Sequence, residues 1–122
     1  MNYYPFDSRN PLYRNKFGAL AEGETLRLKV LLHKDAKVHE AFLIIRNDNE
    51  MQAKEILMEA KEWLCDYRFY ECEINLTEGL YWYSFRYTSD YGEFFVTKTN
   101  TSLGIVSNEG ASWQLTVYEK DF

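Results

Sequence analysis

Between Thr25 and His33, apolar and polar side chains alternate, with Leu26, Leu28, Val30 and Leu32 on one side of an extended chain and Arg27 and Lys29 on the other. A period of two predicts a strand with one buried face. Residues 38–46 predict a second strand in which Ala41, Leu43 and Ile45 oppose Phe42 and Ile44, so that both faces can be buried, and Asn47-Asp48-Asn49 closes it as a turn. Alternation returns over residues 67–76 and again over residues 80–88. The tight Thr77-Glu78-Gly79 connection between them makes the pair read as a hairpin. Residues 93–97 form another short strand after the turn at Ser89-Asp90-Tyr91-Gly92, and Trp113–Tyr118 the last. Residues 98–111, with Gly104 and Gly110, read as a polar loop of about 14 residues, long enough in a compact domain to invite a functional explanation. Both prolines, Pro5 and Pro11, stand near the start, so residues 1–20 predict an irregular lead-in.

Residues 50–64 fit two elements. Their Glu, Ala, Lys, Leu and Met content and the spacing of Ile56, Leu57, Ala60, Trp63 and Leu64 favour a helix. Set among strands, Gln52, Lys54, Ile56 and Met58 equally make one face of a short strand that ends in a loop at residues 60–66. About seven short strands separated by turns predict an all-β fold, an immunoglobulin-like antiparallel β-sandwich of about seven or eight strands, in one domain over residues 1–122. The Cys, Trp, Cys signature of antibody domains is absent, so that likeness is one of architecture.

Composition supports a packed core. Of 122 residues, 46% are hydrophobic, and the 8 Phe, 10 Tyr and 3 Trp exceed what a disordered chain carries. A net charge of -5 leaves no basic surplus for phosphate backbones, which argues against nucleic acid as a partner. No long apolar run and no basic, apolar leader at the start is visible, so the expectation is a cytoplasmic chain without a membrane partner. Cys65 and Cys72 lie seven positions apart, about 23 Å in one continuous strand, and read as two reduced thiols. His33 and His39 flank a polar turn without a cluster of ligand spacing, which predicts no metal.

No nucleophile elbow, zinc-binding helix motif or phosphate-cradling glycine loop occurs, so no catalytic residue and no cofactor are expected. The sequons at Asn75-Leu76-Thr77 and Asn100-Thr101-Ser102 matter only in a secretory pathway. The informative chemistry is aromatic. In Gly79-Leu80-Tyr81-Trp82-Tyr83-Ser84-Phe85-Arg86-Tyr87, alternation separates Tyr81, Tyr83, Phe85 and Tyr87 from Leu80, Trp82, Ser84 and Arg86, and one set must face away from the core. An outward flat ring stacks on the C–H face of a pyranose, and its polar edge reaches sugar hydroxyls. Trp63, Trp82, Tyr91 and Trp113 are therefore the candidate substrate-binding residues, against the alternative that each covers apolar surface in the core or at an interface.

Three stretches together resemble the N-terminal domain of alpha-amylase family enzymes (glycoside hydrolase family 13, of the neopullulanase and cyclomaltodextrinase kind). They are residues 6–20 running into Glu22-Gly23-Glu24-Thr25-Leu26, then Gly79-Leu80-Tyr81-Trp82-Tyr83, and the ending from Trp113 through Tyr118 to Phe122. The resemblance implies an immunoglobulin-like domain similar to carbohydrate-binding module family 34, and favours the strand for residues 50–58. It also implies a catalytic barrel of the same parent chain following Phe122, the present chain being an excised, non-catalytic piece of a hydrolase acting on α-glucosidic bonds. The implied roles are binding of an α-glucan or maltooligosaccharide, or, alternatively, packing against the barrel or a partner subunit in a homodimer without touching sugar.

Overall fold

In the computed structural model, residues 3–119 are described; residues 120–122, where the expected junction with a barrel falls, lie outside them. Ten strands follow one another: β1 (Phe6–Asp7), β2 (Leu20–Ala21), β3 (Thr25–His33), β4 (Val38–Asn47), β5 (Lys54–Leu64), β6 (Tyr67–Asn75), β7 (Gly79–Ser89), β8 (Gly92–Lys98), β9 (Leu103–Val106) and β10 (Trp113–Tyr118). A single 3-10 turn, Lys34–Ala36, joins β3 to β4. The fold is an all-β, immunoglobulin-like sandwich. Its pairings are antiparallel, except that β10 runs parallel to the short β2.

The larger sheet centres on β7, flanked by β4 on one side and by β8 and β10 on the other. The smaller sheet is β3, β6 and the second half of β5. β5 belongs to both: residues Ala41 to Ile45 of β4 pair with its first half, and β6 pairs with it from Glu59 to Leu64. Alternation places the core between the layers. Leu26, Leu28 and Val30 meet Leu43, Tyr83, Phe85, Leu115 and Val117, all essentially inaccessible to water.

Several expectations need correction. β6 and β7 are not a hairpin, because β6 pairs with β3 and β5 while β7 pairs with β4, β8 and β10, so residues 76–78 carry the chain from one sheet to the other. Residues 60–64 are strand, not loop. Trp63 pairs with Arg68 and Leu64 with Tyr67, leaving only Cys65 and Asp66 in the turn, with Cys65 at φ 55°. The loop expected over residues 98–111 contains β9, an outer strand that pairs with β8 and β1. The lead-in is partly regular and covers the free edge of β3: the N–H of Lys29 donates to Tyr13 O (2.8 Å) and that of Leu31 to Pro5 O (2.9 Å). This satisfies backbone groups that an edge strand otherwise presents to other chains, and it explains why Leu31, on the outer face, is as buried as its inward neighbours. Both cysteines are free, Cys65 exposed and Cys72 buried.

Candidate functional site

The four aromatic candidates do not converge. Trp113 is 2% exposed and belongs to the core, in correction of its candidacy: its ring stacks on Tyr83 (5.6 Å between centroids, 22°), Phe6 meets it edge-on, and its indole N–H donates to Ser102 O (3.1 Å). A ring enclosed on both faces cannot stack on a ligand. Trp82 lies on the outward face of the larger sheet, in the row Arg46–Trp82–Gln114 across β4, β7 and β10. Trp63 (53% exposed) and Tyr91 (66% exposed) sit at the far end of the sandwich. Their turns both bond to the β3–β4 connection, Lys34 N–H to Asp66 O and Asp90 N–H to Lys37 O. Trp82 and the end of β7 at Ser89 are seven strand steps apart, about 23 Å at strand rise, and Tyr91 lies in the turn beyond, so Trp82 and Tyr91 cannot hold the same sugar ring.

The surroundings of Trp82 are set by the β4–β5 turn. Asp48 N–H donates to Leu80 O (2.8 Å), folding the turn onto the start of β7, and Arg46 holds its other side through Glu50 O (2.9 Å). Asp48 then accepts the Trp82 indole N–H at 2.9 Å, which fixes the ring plane. Beside it opens a shallow hollow of about 290 Å³ with Ile44 on its floor and Arg46, Ser84 and Ser112 at its edge. Two rows along, Arg86 lies over the Phe42 ring (4.3 Å) and is clamped by Glu55 and Glu93, each at 2.8 Å. Glu55 and Glu93 hold its guanidinium even more firmly protonated than usual. The outward face is therefore a band of flat apolar surface interrupted by neutral hydroxyls and internally matched charges. Such a surface suits an uncharged polyol with apolar C–H faces.

Other pockets and groups offer less. Another hollow, about 440 Å³ between the β4–β5 turn and the β6–β7 crossing, has Ile45, Tyr81, Asn75 and Thr77 on its walls, but the Tyr81 hydroxyl is already bonded to Thr77 O (3.0 Å). Among the described residues no three His, Cys, Asp or Glu side chains come together in a way that could hold a metal ion. Burial pushes the Cys72 thiol up to about 12 and, with Arg14 opposing, the Tyr83 hydroxyl to about 12, so neither is a nucleophile or acid–base group near neutrality. Sequence reasoning missed Arg14. It is 5% exposed, donates to Tyr83 Oη (3.4 Å) and Gly18 O (3.1 Å), and its Nε has no partner among the described residues.

Solved structures similar to this chain include two of known kind. The type III pullulan hydrolase from Thermococcus kodakarensis aligns with a TM-score of 0.58 and 20% identity, over 87% of this chain and 16% of the hydrolase. The carbohydrate binding module of the muscle glycogen-targeting subunit of Protein Phosphatase-1 aligns with a TM-score of 0.53 and 16% identity, over 67% of this chain and 65% of the module. At these identities the likeness is one of fold. The chain thus corresponds to a small part of the hydrolase. No protein-family model and no curated protein matches the sequence.

Proposed function

We propose that this domain is a non-catalytic accessory module that holds α-glucan chains on the outward face of its larger sheet, with Trp82 as the stacking platform, for a hydrolytic barrel of the same parent chain. The observation that carries the reading is the Trp82 ring, turned out of the core, fixed in plane by Asp48 and bordered by a hollow lined by Ile44, Ala53, the Ser84 and Ser112 hydroxyls and the Arg46 guanidinium. A glucosyl ring laid on the indole leaves its hydroxyls toward Ser84, Ser112 and Arg46. Two similar structures support it, one a pullulan hydrolase and the other a carbohydrate binding module. Electrophoresis through an amylopectin-containing native gel tests it. The domain is expected to be retarded, and Trp82→Ala to restore free migration; equal retardation of both proteins contradicts the assignment.

A second reading has its own observation. Leu57, Ile105 and Val106 are exposed apolar side chains on outer strands, the kind of surface a neighbouring domain or subunit covers. It predicts slower amide exchange of β5 and β9 when the barrel is joined to the domain, and unchanged exchange removes it.

A further inference from the structure

The end of the sandwich opposite Trp82's turn carries a second cluster that the glucan platform does not use. β5 bulges between Ala60 and Trp63, so one extra residue faces β6. A β-bulge shifts the alternation that follows it. Trp63 thereby comes onto the same face as Ala60 and opposite Arg68, where uninterrupted alternation would place Glu62. The bulge also frees the Lys61 carbonyl, which accepts the Arg68 Nε–H at 2.8 Å and holds the guanidinium against the Trp63 ring, 5.4 Å from its centroid. Both Nη groups of Arg68 are left without a bond to any described residue.

Around this pair is a depression of about 150 Å³ floored by Leu32, Val38 and Tyr70. Its rim holds His33, Lys34, Lys37 and Arg68, and no carboxylate lines it, although the chain as a whole carries -5. Asp66 lies 3.6 Å from Lys34 and Asp35 3.6 Å from His33, both largely solvated, while Lys37 and Arg68 have no carboxylate within ion-pair distance among the described residues. The indole N–H differs in the same way. Trp82 gives its proton to Asp48 and Trp113 to Ser102, whereas that of Trp63 is bonded to no described residue. Lys37, finally, occupies a left-handed backbone conformation (φ 54°, ψ 50°) that glycine or asparagine takes at lower cost.

We infer that this depression is a second ligand site that takes a phosphate monoester carried on an α-glucan, with a sugar ring against Trp63 and the phosphate between Arg68 and Lys37. Resting on the glucan reading, it extends that reading to the substrate's chemical class. A tetrahedral dianion accepts from the two unused Nη groups and the Lys37 ammonium together, and an unclaimed indole N–H beside them meets a sugar hydroxyl.

Titration of the ¹⁵N-labelled domain with maltoheptaose, a phosphorylated maltooligosaccharide and inorganic phosphate tests it. The phosphorylated sugar is expected to bind about tenfold more tightly than maltoheptaose at low salt, an advantage that shrinks as salt screens the contact. Its amide shifts should centre on residues 33–37 and 63–68. Lys37→Gly, which relieves the left-handed strain and so keeps the fold, and Arg68→Gln should each remove most of the advantage, while Trp82→Ala leaves it intact. Equal affinity for the two oligosaccharides overturns the inference, as does an advantage that survives both substitutions; inorganic phosphate binding as tightly as the phosphorylated sugar overturns its sugar half. A parent domain that binds the phosphorylated sugar at residues 33–37 and 63–68 but shows no binding of maltoheptaose counts against the Trp82 platform alone.

Discussion

The two faces of β7 share one backbone and have opposite surroundings. Inward, Tyr81, Tyr83, Phe85 and Tyr87 are buried, and Phe6 and Trp113 close a cluster of rings whose centroids lie 4.8 to 6.0 Å apart. Outward, Trp82, Ser84 and Arg86 stay partly exposed, with Trp82 bonded to Asp48 and Arg86 paired with Glu55 and Glu93. The same residue type thus serves cohesion on one side and, in the proposed function, recognition on the other. What separates Trp113 from Trp82 is whether both ring faces are filled.

The comparison is most severely tested on the inner side. Trp113→Ala should cost about 3–5 kcal/mol in chemical denaturation, since it empties the centre of the cluster. Gly104→Ala approaches the same ring from β9, where an added Cβ would stand 2.7 Å from the indole Cη2, and should cost about 1–3 kcal/mol by overpacking. If either variant is as stable as the parent, the inner rings are not the cohesive unit. A smaller effect is expected from Tyr83→Phe, about 1 kcal/mol, because the buried Arg14 guanidinium then keeps only Gly18 O.

Alkali should separate the faces as well. Tyr13, Tyr83 and Cys72 keep their protons in the folded chain up to about 12, whereas in the unfolded chain they lose them near the ordinary values of about 8.5 for thiols and about 10 for phenols. Burial is the leading cause for all three. Between those limits the unfolded chain binds fewer protons, so stability is intact at neutral pH and falls as pH rises from about 9 towards about 12. A thermal midpoint that stays level across that range contradicts the buried state of these groups. In the native protein a thiol reagent should label Cys65 and spare Cys72. Trp82→Ala should cost about 1 kcal/mol, well below Trp113→Ala, since a partly exposed ring on the outer face gives up less burial than one in the core.

Much of this was legible in the sequence, because strict alternation over β3, β4 and β7 fixes which side chains share a face. Alternation over β7 separates Trp82 from Tyr81 and Tyr83 but leaves open which set faces outward; the burial of Tyr81 and Tyr83 in the folded sandwich decides it. What alternation does not encode is where a strand goes next: Thr77-Glu78-Gly79 looks the same whether the chain folds back in one sheet or crosses to the other. β9 escaped because Ile105 and Val106, on an outer strand, are exposed and so lack a buried period. The bulge in β5 escaped because its extra residue follows from pairing with β6, which the segment itself does not show. Arg14 carried no signal, since nothing in Tyr13-Arg14-Asn15 separates a buried guanidinium from a solvated one.

The most direct measurement is a map of backbone amide shifts of the ¹⁵N-labelled domain on addition of maltoheptaose. Perturbations gathered on residues 44–48, 82–84 and 112, and abolished by Trp82→Ala, are the expected result. Shifts that are absent, or that persist unchanged in that variant, would mean that the outward face of β7 does not bind sugar.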